Sequence, residues 1–182
     1  MERLAATARY SLPARVLHWL VAAGVALQIY LGWAAEWEER RSESFQLIHT
    51  HYQLGVVIFG LMVMRLLWRI ASPPPPFAQD QSRLMRASAA TVHWLFYALL
   101  ITMPISGYVI WVWMNVPMDV FGVFDVPRVF TPPVEDETGR ALAWYVHFYS
   151  SWLLIGLVIA HVIAAVWHEL IRRDGAISKR ML

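Results

Sequence analysis

Histidine is where this sequence concentrates its chemistry. All seven histidines, His18, His49, His51, His93, His147, His161 and His168, fall within or at the ends of apolar stretches. An ionisable side chain in such a setting is costly and points to a function. His147 and His161 are the most informative pair, fourteen residues apart in one uninterrupted apolar stretch. On a helix that separation is a turn of about 40° and a rise of about 21 Å, so the two share a face but lie at opposite depths of a bilayer. The chain has no cysteine, which excludes iron–sulfur clusters, zinc–thiolate sites and disulfide frameworks and leaves histidine or methionine to hold any redox centre. Facing neutral imidazoles can supply both axial ligands of a haem b, an arrangement with no open iron position that favours electron transfer over oxygen binding. A zinc or copper site would want three or four ligands converging at one depth, commonly with a carboxylate, and no Asp or Glu falls inside these stretches.

The elements that must position these residues are membrane helices. The sequence is 58% apolar and only 15% charged, where a soluble domain carries roughly 25% charge. Charges are absent from windows 16–35, 44–64, 87–118 and 141–168, and about 20 helical residues cross a bilayer core. The expected fold is therefore all-α, an integral membrane four-helix bundle forming a single membrane domain over 1–182, with spans at about 16–35, 46–68, 88–114 and 141–168. The first span competes with a signal-peptide reading, but it is longer than the usual apolar region of about 7–15 residues, and Trp33 stands where cleavage wants a small residue. Pro73 to Pro76 stop the second helix, Pro104 is expected to kink the third, and the 116–140 connection, rich in proline, is too polar to cross.

Counting charge by side sets the expected orientation. The side holding both termini carries eleven bases (Arg3, Arg9, Arg15, Arg65, Arg69, Arg83, Arg86, Arg172, Arg173, Lys179, Arg180) and four acids (Glu2, Asp80, Glu169, Asp174). The other side has Arg40, Arg41, Arg128 and Arg140 against nine acids, giving faces of +7 and −5 that sum to the net +2. The excess of bases puts both termini in the cytoplasm, and the small net charge excludes a nucleic-acid partner. Lipid is the obligatory surrounding. With that orientation His18 and His161 lie at the inner depth and His51 and His147 at the outer, so depth alone offers two haem sites stacked across the membrane.

Several segments carry a family likeness: Leu17-His18-Trp19, His51 through Gly55 followed by Arg65, His93 with Tyr97 and Met103 through Gly107, the spacing His147-x13-His161-x6-His168, and Asp174 with Arg180-Met181. In their order and spacing the chain resembles the bacterial cytochrome b561 family, short four-helix membrane cytochromes related to the cytochrome b subunits of nickel hydrogenases and formate dehydrogenases. The resemblance covers nearly the whole sequence. It implies two haem b groups, the inner held by His18 and His161 and the outer by His51 and His147. It selects His51 over its neighbour His49, because His51 has Gly55 four residues on and Arg65 fourteen residues on. Gly55 makes sense where a porphyrin approaches the helix backbone.

The function these features imply is electron transfer from an outer-side donor to membrane quinone in the bacterial inner membrane. Within the family, short members suggest superoxide oxidation coupled to ubiquinone reduction. An outer face of −5 repels such an anion unless Arg40, Arg41, Arg128 or Arg140 focus a local positive field. The alternative is a cytochrome b anchor and electron conduit for a larger oxidoreductase such as a hydrogenase. His93 and His168 match family positions toward the inner end, either as interfacial structural histidines or as groups that bind a haem propionate or deliver a proton to quinone. Trp33, Trp37, Trp68 and Trp167 are expected in interface belts, and Trp19, Trp94 and Trp152 either against porphyrin or, as the preferred reading, in ordinary core packing. Arg15, Arg65, Arg83 and Arg86 either pair with haem propionates or, as the preferred reading, simply obey the charge asymmetry.

Overall fold

The computed structural model describes residues 9–75, 82–134 and 137–182. Glu2, Arg3, Pro76, Asp80, Glu135 and Asp136, used in the charge and proline arguments above, lie outside these. Four long helices dominate: α1 (Leu12–Trp37), α2 (Arg41–Ala71), α3 (Arg83–Met114) and α4 (Thr138–Trp167). The shortest has 26 residues, about 39 Å at 1.5 Å per residue, so each exceeds a bilayer core of about 30 Å. All four are long and apolar enough to cross a membrane, and the chain is an all-α four-helix membrane bundle.

Local sequence explains where the helices begin and end. Pro13 occupies the first turn of α1, where its missing amide costs nothing. Ser82 caps α3 by accepting from the Met85 amide at 3.2 Å, and α3 ends on Asn115 in the left-handed region at φ 52°, a conformation asparagine tolerates. Past Trp167 the ladder loosens into a single π-helical turn, His168–Arg172, and Arg173 at φ 54° and Gly175 at φ 74° bend the chain back under the bundle. The Tyr10 amide donates to the Arg180 carbonyl at 3.2 Å, so the two described chain ends meet at one end of the bundle, the termini end. The α1–α2 and α3–α4 connections share the opposite, loop end.

Packing follows two helical hairpins, α1 on α2 and α3 on α4, joined along α2 and α3. One apolar cluster, Val21, Val25, Leu99 and Leu154, bridges α1, α3 and α4 near mid-depth. A second, Tyr52, Trp111, Val112 and Met118, closes the loop end. Elsewhere large apolar side chains face outward, and in the most apolar stretch of α4 only 6% of residues are buried. Lipid supplies the missing apolar neighbours, so backbone groups are satisfied within the helices while side chains face hydrocarbon.

Between α3 and α4 a small antiparallel hairpin, β1 (Asp119–Val120) and β2 (Phe124–Asp125), interrupts the polar connection. Its turn requires the positive φ of Gly122, whose amide donates to the Asp119 carboxylate at 3.0 Å. The same carboxylate accepts from the buried Gln53 amide at 3.1 Å and lies 3.7 Å from His49 Nε2, which straps the hairpin onto α2.

Candidate functional site

Two histidine pairs occupy the two ends of the bundle, and α4 contributes to both. At the loop end His51 of α2 faces His147 of α4, with ring centres 6.1 Å apart and planes at 66°. At the termini end His18 of α1 faces His161 of α4, with ring centres 6.3 Å apart and planes at 75°. The cluster of Val21, Val25, Leu99 and Leu154 lies between the two levels.

The loop-end rings are fixed from behind. His51 Nδ1 lies 3.1 Å from the Gln28 carbonyl, and because a carbonyl only accepts, Nδ1 carries the proton and Nε2 keeps its lone pair. Ser106, two residues after Pro104 within α3, places its hydroxyl 2.9 Å from the Thr102 carbonyl and 3.0 Å from that of Met103. With its proton committed there, its oxygen accepts from His147 Nδ1 at 2.9 Å. Glycine makes room for the His147 ring: a Cβ on Gly107 would stand 3.3 Å from His147 Cε1, while one on Gly32 would meet His51 Cε1 at an ordinary contact distance of 3.5 Å. Sequence reasoning missed Gln28, Ser106 and Gly107 as supports. The Ser106-Gly107 pair was visible as a motif, but nothing in its spacing names a partner 41 residues away.

The termini-end pair has a third imidazole beside it. His93 of α3 approaches His161 with ring centres 6.3 Å apart, the same separation as His18, and Phe96 lies at 5.3 Å. Arg65 donates to the Ala14 carbonyl at 2.8 Å, one turn before His18. Among the described residues no group of three or more histidine or acidic side chains converges closely enough for a bare metal ion.

The remaining histidines are elsewhere. His49 points away from His147, with its ring 6.1 Å from Phe45 and 5.6 Å from Trp111. His168 belongs to the π turn, where its Nδ1 meets Asp174 Oδ2 at 2.5 Å. A Cβ on Gly55 would stand 2.9 Å from Gln28 Nε2, the far end of a flexible side chain of α1. Trp19, Trp94 and Trp152 are about half exposed rather than in the core, because the bundle has little closed interior to receive them. Trp19 Nε1 donates to the Met181 carbonyl at 3.1 Å. Arg15 donates to the Leu182 carbonyl.

Known proteins share this arrangement of sequence. The family model described as prokaryotic cytochrome b561 matches residues 9–182. The chain belongs to the prokaryotic cytochrome b561 family. Cytochrome b561 homolog 2 of Escherichia coli (strain K12) is 32% identical over 176 residues, covering 96% of this chain and 91% of that protein. Cytochrome b561 homolog 1 of the same organism is 26% identical over 95% of this chain and 97% of its own length. A Yersinia pestis protein named Probable superoxide oxidase CybB is 26% identical over 91% of each chain. This cytochrome b561 is thus a multi-pass bacterial membrane cytochrome of electron transfer, and its family cofactor is haem b.

The histidine geometry fits that cofactor. Two imidazoles on opposite sides of one iron, each bonded at about 2.0 Å, have ring centres about 6 Å apart. Rings joined by a direct N–H···N hydrogen bond would stand closer, at about 5 Å. His51–His147 at 6.1 Å and His18–His161 at 6.3 Å match the first spacing, and so does His93–His161 at 6.3 Å. At the loop end the Nδ1 atoms are already engaged, so the Nε2 atoms are the ones available to a metal.

Proposed function

We propose that this cytochrome b561 holds two b haems, one between His51 and His147 and one between His18 and His161, and carries electrons from a donor at the loop end to quinone at the termini end. The carrying observation is the presence of two separate histidine pairs, each at the spacing of a single bridging iron and each joining α4 to the opposite helical hairpin. Haem b, when bound, supplies a reversible one-electron iron couple with no vacant coordination position. The protein's part is to present Nε2 at each end, to hold an apolar layer between the sites, and to manage protons and charge at both surfaces. On this reading residues 1–182 form a single domain of the bacterial inner membrane, with both termini in the cytoplasm as the basic termini end favours.

Quinone reduction takes two electrons and two protons per quinol, so the acceptor site needs a titratable group near water. His168 fits this role, lying at the termini end as the first residue of the π turn that follows α4, with Asp174 fixing its Nδ1. His93, beside His161, is the second candidate for a propionate or quinone contact.

Superoxide is the first donor to test, because that substrate appears in the name of the Yersinia pestis relative. Each superoxide anion would give up one electron and leave as dioxygen. Of the loop-end cations, Arg40 pairs with Glu43 at 2.7 Å and Arg140 pairs with Glu137, while Arg41 and Arg128 pair with no carboxylate among the described residues. Arg128 is held instead by neutral acceptors, Asn115 Oδ1 and the Val116 carbonyl, and so keeps its charge for an incoming anion. Its segment is tied to Tyr108, next to Gly107, by hydrogen bonds from Tyr108 to the Pro127 carbonyl at 2.8 Å and from the Val129 amide to Tyr108 at 2.9 Å.

A second reading, a conduit subunit fed by a larger oxidoreductase, is favoured by the hairpin tip. Phe121, Val123 and Phe124 are exposed there at the loop end, an apolar spot suited to a protein partner. Two measurements test the proposal. A pyridine haemochrome assay should return two haems b per chain. Stopped-flow mixing of the purified protein with superoxide should then show fast haem reduction, and its absence with both haems present would leave the conduit role.

A further inference from the structure

The two pairs are supported unequally. Both loop-end histidines have Nδ1 engaged, His51 by the Gln28 carbonyl at 3.1 Å and His147 by Ser106 Oγ at 2.9 Å. Ser106 is buried, at 5% exposure, so water does not compete for this bond. At the termini end, among the described residues, the rings of His18 and His161 have aromatic neighbours, Trp19, His93 and Phe96, but no hydrogen bond to a ring nitrogen. That end also holds the Arg65 guanidinium against the Ala14 carbonyl at 2.8 Å, a fixed positive charge one turn from His18.

Ligand chemistry gives these differences opposite signs at the two ends. An acceptor on Nδ1–H pushes electron density toward Nε2, makes the imidazole a stronger donor and favours the ferric state. A nearby cation, with little solvent to screen it, disfavours the extra positive charge of that state. We propose that Ser106, acting through His147 and together with the Gln28 carbonyl behind His51, holds the loop-end haem at a lower reduction potential than the termini-end haem, so that electrons entering at the loop end run downhill across the membrane. Ser106 is on this view a positioning residue, one that sets the direction of flow without touching donor or acceptor. The inference rests on the ligand assignment proposed above.

A spectroelectrochemical titration of the purified protein, followed in the haem b absorption bands, tests it. Two redox waves are expected, and the wave missing from His147→Ala should be the lower one, while the wave missing from His161→Ala should be the higher. In Ser106→Ala the lower wave should shift upward toward the other with the haem count unchanged, and Ser106→Thr, which keeps the hydroxyl, should restore it. Coincident waves, the reverse order, or a Ser106→Ala protein with both haems and both potentials unchanged would overturn the inference. If Ser106→Ala sheds its haem, the order of the waves in the unmutated protein still decides. A haem count below two in the unmutated protein is a different failure, that of the ligand assignment itself.

Discussion

Asp174 reaches back six residues to hold His168, with Oδ2 at 2.5 Å from Nδ1. The reach depends on the π turn and on Arg173 at φ 54°, which reverse the chain so that a carboxylate beyond the helix faces a ring inside it. Asp174 is itself fixed, its Oδ1 accepting from the Ala176 amide at 3.2 Å. The contact commits Nδ1 to the carboxylate and fixes the orientation of the ring.

His168→Ala is expected to leave both haems in place and to slow haem oxidation by an added soluble quinone about a hundredfold, the low end of general acid–base effects. Asp174→Asn keeps the shape but loses the carboxylate, and should slow the same step about tenfold. Single-turnover mixing of reduced protein with quinone reads both. Unmutated rates in His168→Ala with two haems bound would return His168 to a structural role.

Removing one ligand should empty one site. His147→Ala is expected to bring the haem count from two to about one by losing the loop-end group, and His161→Ala to lose the termini-end group. Pyridine haemochrome assays count the haems, and difference spectra identify which remains. Loss of both haems in either variant would mean that the two sites do not load independently.

Gly107 leaves 3.3 Å between a virtual Cβ and His147 Cε1. Gly107→Val adds two methyl groups beyond that Cβ and should push the ring off the Ser106 bond, lowering loop-end haem content severalfold while sparing the other site. A Gly107→Val protein with two normally ligated haems would show that the ring has room the packing does not suggest.

Arg128→Gln removes a loop-end cation that pairs with no carboxylate among the described residues. Superoxide should then reduce the protein about fivefold more slowly at low salt, and the difference should fade as ionic strength passes about 0.1 M, where charges beyond about 10 Å are screened. Rates measured across a salt series check this. A salt-independent loss would assign Arg128 to holding the loop rather than guiding the anion.

Much of the architecture was legible because membrane helices obey few rules. Four apolar windows became four helices, and the fourteen-residue step from His147 to His161 placed one histidine opposite His51 and the other opposite His18. The supports were not legible, since each is a contact between distant segments: Ser106 with His147, Gln28 with His51, and the Asp119 strap from the hairpin to Gln53. The His168–Asp174 contact is short in sequence but relies on a π turn that no residue pattern announces. Trp94 and Trp152 were expected inside, as they would be in a soluble core, yet they stand about half exposed, because in lipid an outward indole costs little.

The placement of both pairs on α4 has a consequence for biogenesis. With the ligands as proposed, α1 and α2 each offer half a site as soon as they enter the bilayer, and neither half can be completed until α4 has left the ribosome. Cofactor capture is therefore the closing event of assembly. It clasps the late-made hairpin to the early one at two heights, so a cell short of haem would accumulate fully translated but unlatched halves, exposed to membrane quality-control proteolysis.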